Sequence, residues 1–354
     1  MPRILRNAVT AAGLAALLGV LFIEQPRTTA TAEASASTRY VALGDSYSAG
    51  VGTRAAQDDC YRSPYGYPAL IAAQYGLALD YQACTGATTA DVRADQLPAL
   101  GRRTAAVSIT IGGNDAGFTD VITACALPSW LSDCTSEVNR GLVVVQQKLP
   151  GRYDTLFAAI RAKAPDARVA VGDYPLIFQG EDCNAATFFS PKDESRINAA
   201  TGVLDDLIRT KAAAHRFGFV EARPAFLGHA VCDGVEWING LSSPVTESYH
   251  PNRAGNLGYA ALFGPALTGR PYPTYRINPA LRTDPARGPA RSVRDEARTV
   301  LAMRLDAPAN LARAGRHGIA PGRVRALVQK LRAEDPATVA SALTALRRLD
   351  RRAG

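Results

Sequence analysis

Between residues 38 and 268, short apolar runs alternate with longer segments of helical spacing. This alternation constrains the fold more than any other feature. The strand-like runs are 40–43, 79–83, 106–111, 168–172 and 217–221, the clearest being the β-branched Ala106-Val107-Ser108-Ile109-Thr110-Ile111. The helix-like segments are 64–75, 136–164 with a break near Pro150-Gly151, 193–215, and 252–265. In 193–215, Ile197, Leu204, Leu207 and Ile208 fall on one side. Strand–helix alternation predicts an α/β chain with a mostly parallel sheet covered on both faces. Functional residues of such a sheet belong beyond the carboxyl ends of its strands.

The flanks read differently. Arg3 and Arg6 precede an apolar run at 8–23, and small-residue sites follow at Ala30-Thr31-Ala32 and Ala34-Ser35-Ala36. Residues 1–36 therefore read as an export signal, with a retained anchor as the alternative; the run is short for a membrane span. After Arg270, prolines 271, 273, 279, 285 and 289 mark a linker at 273–290. Residues 291–354 then form a basic helical tail of unassigned role, with stretches at 291–305, after Pro321 and after Pro336. The tail is either a small bundle or a set of surface-bound helices, and about 60 residues are marginal alone.

Charge follows the same division. The whole chain carries +8, but residues 273–354 hold 17 basic and 7 acidic side chains, which leaves the rest slightly acidic. A body of that charge is not a nucleic-acid binder, and any attraction to polyanions belongs to the tail. Six cysteines, all in the body, fit an oxidising compartment, and the absence of Cys-x-x-Cys argues against a zinc or thioredoxin-like site. Their pairing stays open on sequence alone.

Four polar segments follow strands or precede a helix. Gly44-Asp45-Ser46-Tyr47-Ser48 places a serine at the end of the first strand, where an ordinary capped turn is the competing reading. Gly86, after the second strand, lets the backbone present an N–H to a ligand. Gly112-Gly113-Asn114-Asp115 places an amide donor at the end of the third, although the Asn or Asp of such a turn commonly caps its own backbone. Of four histidines, His250 lies in a polar loop ahead of a helix, His229 is its rival, His215 sits at a helix end, and His317 lies in the tail. Together these segments supply nucleophile, oxyanion donors and base for acyl transfer. The Gly-x-Ser-x-Gly elbow of the common hydrolase fold is absent around Ser46.

With those four segments in that order, the chain resembles the SGNH, or GDSL, hydrolases, and most of all their secreted actinobacterial esterases, lipases and phospholipases. Trp237-Ile238-Asn239-Gly240 also resembles that subgroup, and the likeness spans about residues 39–268. The resemblance implies a three-layer α/β/α, flavodoxin-like fold over 37–272, to which the tail adds a C-terminal helical extension. It implies Ser46 as nucleophile, His250 as base, and an oxyanion hole from the Ser46 and Gly86 backbone N–H groups and the Asn114 amide. It implies disulfides Cys60–Cys84, Cys125–Cys134 and Cys183–Cys232. Asp45 and Asp115 are expected to brace their loops.

One position departs from the family pattern. Many members place Asp three residues before the histidine, and here Glu247 stands there. The Glu247 carboxylate, a backbone carbonyl of Glu247 or Ser248, or a group the sequence does not reveal compete to hold the second imidazole nitrogen, and a carbonyl is favoured. The implied reaction is hydrolysis of acyl esters of small-molecule or lipid-like substrates through an acyl-enzyme, by a broad esterase/lipase. A phospholipase A-type enzyme is the alternative, and a cell-surface binding module held by the basic tail is a remote one. No metal or cofactor is needed, and a secreted monomer in transient contact with a lipid interface is expected. Phe178, Phe188, Phe189 and Leu241 stand in rim loops, where ordinary packing is favoured over an acyl-groove role.

Overall fold

The computed structural model describes residues 38–273 and 291–352. The leader expected over 1–36 lies outside these residues, as does the linker expected over 273–290 apart from its first residue. All the described residues belong to the compact unit Ser37–Gly354.

All five expected strands form. In chain order, β1 (Arg39–Gly44) leads into the single turn α1 (Ser46–Ala49), then α2 (Tyr67–Tyr75) and β2 (Ala78–Tyr81). The short α3 (Thr89–Asp91) and tight turns to Ala99 precede β3 (Ala106–Thr110). Next come α4 (Phe118–Ala126), α5 (Cys134–Gln147), α6 (Leu149–Lys163) and β4 (Arg168–Gly172). The body closes with α7 (Pro191–Ala214), β5 (Gly218–Val220), α8 (Arg223–Phe226) and α9 (Arg253–Thr268).

The sheet order is β2-β1-β3-β4-β5, every pairing is parallel, and Tyr40 stands opposite Ala106 at the centre. Every residue of β3 is buried, as is β1 beyond Arg39, because helices cover both faces of these central strands. Helices α2 and α9 pack together on one face, while α5, α6 and α7 pack together on the other. This is the expected three-layer α/β/α fold.

The break expected near Pro150 falls at Lys148. Pro150 sits in the first turn of α6, where its missing N–H costs no intrahelical bond. Helix α4 and one tail helix were not evident from apolar spacing. The tail comprises α10 (Val293–Ala302), α11 (Pro308–Arg316), α12 (Pro321–Lys330) and α13 (Pro336–Asp350). Helix α11 has one large apolar residue, Leu311, and gains its place by burying Leu311 and Ala314 against neighbouring helices.

The tail helices share one hydrophobic cluster that includes Val300, Leu311, Val324, Val328 and Leu343, and that cluster also takes in Trp130, Ala186 and Phe188 from the body. Polar ties reinforce it. The Ser129 N–H and hydroxyl donate to the Asp350 carboxylate at 2.6 and 2.9 Å. Arg347 donates to the Asp182 carbonyl at 2.6 Å and pairs with its carboxylate at 3.3 Å. A tail of this size recovers the burial it lacks alone by borrowing apolar surface from the body.

Candidate active site

Strand β1 ends at Gly44, whose φ of +121° and tight surroundings exclude a side chain: a Cβ would collide with the Thr110 carbonyl. The Gln96 side chain holds both backbone groups of Gly44, at 2.7 and 2.9 Å. Asp45 then caps α1 by accepting from the Tyr47 N–H at 3.1 Å. Its carboxylate also accepts from the Thr110 hydroxyl at 2.9 Å and from the Tyr174 hydroxyl. Burial pushes its carboxyl up to about 6 against these hydrogen bonds. Ser46 is thus the first residue of a helical turn that is fixed on both sides.

The Ser46 Oγ lies 2.8 Å from His250 Nε2, and His250 Nδ1 lies 2.8 Å from the Ser248 carbonyl. A carbonyl only accepts, so Nδ1 carries the proton and Nε2 turns its lone pair to Ser46. Burial drives the imidazole down to about 4, with the Ser248 carbonyl opposing that shift. The loop carrying the ring is tied in several places. Tyr47 donates through its hydroxyl to the Tyr249 carbonyl at 3.0 Å. Asn239 exchanges backbone bonds with Tyr249 and His250, both at 2.9 Å. Asn252 caps α9 by accepting from the Gly255 N–H at 3.1 Å.

Glu247 does not face His250. Its carboxylate accepts from the backbone N–H of Gly52 at 2.6 Å and of Arg54 at 3.2 Å. Its carbonyl accepts from the Asn239 side chain at 3.1 Å. Of the groups weighed for the second imidazole nitrogen, the Ser248 carbonyl is the one at Nδ1, while the Glu247 carboxylate and carbonyl are both engaged elsewhere. The extra methylene of Glu reaches the turn after α1, and the Ser248 carbonyl already occupies Nδ1.

On the opposite side, Gly86 sits in a turn closed by the Ala87 N–H to the Cys84 carbonyl at 3.2 Å, with φ +78°. Asn114 donates from its side chain to the Ala87 carbonyl at 3.0 Å, which leaves its second amide hydrogen for another acceptor. Asn114 and Gly113 line the pocket that contains Ser46. The backbone N–H groups of Ser46 and Gly86 enter no hydrogen bond among the described residues. Asp115 takes the Thr89 N–H and hydroxyl at 2.8 and 2.7 Å and Arg152 at 2.8 Å, which joins the Asn114 loop to the start of α3.

The pocket at Ser46 is walled by Phe118, Ile177, Thr201 and Leu204. An apolar groove shares Phe118, Thr201 and Leu204 with it and continues along Val138, Leu142 and Ile197. None of the four rim residues singled out from sequence lines either. Phe178 and Phe189 pack on each other and on Tyr249, Phe188 is buried in the tail cluster, and Leu241 packs against that cluster. Loop length gave no indication that a distant helical segment would cover Phe188 and Leu241. Nor does the rival histidine enter the site. His229 stacks on Trp237 and its Nδ1 meets the Val235 carbonyl at 2.7 Å, while His215 Nε2 meets Asp154 at 3.1 Å.

Three further residues shape the site: Gln96, Tyr174 and Asn239. Tyr174 follows β4, and its place just past a strand end was the readable signal. Gln96 had none, and Asn239 stood in the Trp237-Ile238-Asn239-Gly240 stretch, which carried a resemblance but no assigned role. The sulfurs pair as Cys60–Cys84, Cys125–Cys134 and Cys183–Cys232, which places the first bridge beside the Gly86 turn.

The sequence profile of the GDSL-like Lipase/Acylhydrolase family matches residues 42–257. A lipase of Streptomyces rimosus is 39% identical over 270 residues, spanning 75% of this chain and 99% of the relative. Lipase 1 of Streptomyces coelicolor is 41% identical over 260 residues, 72% of this chain and 93% of the relative. Among solved structures, a phospholipase A1 from Streptomyces albidoflavus NA297 superposes with a TM-score of 0.61 at 40% identity, covering 66% of this chain and 99% of that one.

Proposed function

The chain belongs to the GDSL-like lipase/acylhydrolase family and is a serine carboxylic ester hydrolase, and on that premise we propose that Ser46 is its nucleophile and His250 its general base. The observation that carries this reading is the 2.8 Å contact between Ser46 Oγ and His250 Nε2. His250 takes the hydroxyl proton as Ser46 attacks the ester carbonyl. Negative charge on the carbonyl oxygen is met by the N–H groups of Ser46 and Gly86 and the Asn114 amide. Losing one such donor typically costs about 10²–10³ in rate. The imidazolium protonates the leaving alcohol, and water activated by the same ring releases the acid from Ser46. Each proton has a protein carrier, so the sequence of steps calls for no cofactor.

The apolar groove leading from Ser46 supports an acyl chain as the group recognised, hence a broad esterase/lipase on lipid-like esters. Likeness to a phospholipase A1 favours phospholipids as a second reading. The basic leader with its apolar run and the three disulfides support export, and no helix among the described residues is long and apolar enough to cross a membrane. The Ser46–His250 pair argues against a purely binding role.

Ser46→Ala should abolish turnover of a short-chain chromogenic ester with the far-ultraviolet circular dichroism unchanged. Undiminished turnover would overturn the nucleophile. A series of acyl-chain lengths beside a phospholipid panel separates the two substrate readings.

A further inference from the structure

Body and tail enclose a cleft lined by the loop between α4 and α5, the first turn of α7, the end of α11 and the end of α13. Five cationic side chains converge there. Lys192 and Arg196 come from the body, and Arg313, Arg316 and Arg351 from the tail. Two are engaged within the protein: Arg196 pairs with Asp193 at 3.0 Å, and Arg313 donates to the Leu131 carbonyl at 3.1 Å. Lys192, Arg316 and Arg351 are exposed and make no ion pair or side-chain hydrogen bond among the described residues.

The acidic residues of the cleft are already committed. Asp350 accepts twice from Ser129, Asp193 caps α7 with Ser190 besides pairing with Arg196, and Asp133 caps α5. The cleft therefore presents surplus positive charge with no internal partner.

Its position matters as much as its charge. Lys192 and Arg196 line the cleft, Ile197, Ala200 and Thr201 line the apolar groove, and Leu204 reaches the pocket at Ser46, all along α7. Helix α5 repeats the order, with Cys134 and Thr135 in the cleft and Val138 and Leu142 in the groove. From Lys192 to Leu204 is about 18 Å along the helix. One face thus offers an anion-attracting end, an apolar groove and the proposed nucleophile in line.

We propose that this face docks on an anionic lipid surface, with lipid phosphates in the body–tail cleft and an acyl chain drawn toward the groove. The purpose of docking rests on the lipid-ester reading above, but binding does not. Nucleic acid shares the phosphate and lacks the apolar partner that the adjoining groove fits.

The test uses the full chain carrying Ser46→Ala, co-sedimented with phosphatidylcholine vesicles with and without phosphatidylglycerol. Binding should require phosphatidylglycerol and weaken at high salt. A triple variant, Lys192→Gln, Arg316→Gln and Arg351→Gln, should lose about fivefold per side chain, or about 100-fold in all. A control triple, Arg323→Gln, Arg325→Gln and Lys330→Gln, removes equal charge from exposed positions of α12 and should lose less than about fivefold. Equal losses in both triples, no loss in the first, or binding without phosphatidylglycerol would overturn the proposal. So would cleft-dependent stabilisation by inorganic phosphate, or cleft-dependent binding of a DNA duplex, without vesicle binding. With Ser46 intact, the first triple should hydrolyse a water-soluble ester at the parental rate, which shows that its fold survives. Failure of the Ser46 assignment would appear in that soluble assay and leave the vesicle result untouched.

Discussion

Ser46 and His250 stand 204 positions apart in sequence and 2.8 Å apart in space. The value of the imidazole in that contact has a kinetic consequence. Burial lowers it to about 4, so the neutral, base-competent ring persists well below the ordinary imidazole range. The acid limb of kcat/KM for a soluble ester should fall near pH 4, with a plateau across pH 6–7. A midpoint near 6.5 would mean a solvated ring. The same shift acts on stability. Between about 6.5 and 4 the unfolded chain takes up a proton that the native ring refuses, so this group's contribution falls as pH drops through that window. Ser46, Gly86, Asn114 and His250, the proposed catalytic set, could be named from sequence because each lies in a short polar motif. The group at Nδ1 was not. A backbone carbonyl leaves no mark on residue identity, so Ser248 was one option among several.

The loops after the strands hold those side chains, and their mutual bracing is the work of individual residues. Glu247 staples the turn after α1 to the histidine loop through the Gly52 and Arg54 N–H groups. Gly52 has to be glycine there, since its φ is +98° and a Cβ would run into the Pro251 carbonyl. Glu247→Gln keeps an acceptor for both N–H groups and removes only the charge. It should cost less than about tenfold in kcat, well short of the ~10⁴-fold seen where a triad carboxylate is neutralised. A loss of that larger size would return the carboxylate to the orienting role. At this scale the strands were the most legible part, since all five apolar runs became strands. Helix α11 was the least legible, because one leucine and small residues carry no clear period and only a neighbouring surface stabilises them.

Across the whole molecule the tail and the hydrolase body share an interior. Phe188 belongs to the body by sequence and to the tail cluster by packing. Phe188→Ala should destabilise the chain by about 3–5 kcal/mol, read by urea unfolding. Tail and body should unfold together, with fluorescence of the two tryptophans and circular dichroism giving coincident transitions. A loss under about 1 kcal/mol would show that the shared cluster contributes little. The charge excess takes on position as well as size, since part of the +8 lines a cleft that the tail makes with the body. Alternation of apolar runs by itself determined the parallel sheet, and the four short motifs determined the chemistry. Both are local signals, set by residue type and spacing along a few positions. Tertiary structure alone decided which carbonyl holds His250, what Glu247 binds, that Phe188 is interior to the tail, and where the basic residues converge. Each of these depends on contacts between segments far apart in the chain, and spacing along the sequence does not encode which distant surfaces will meet.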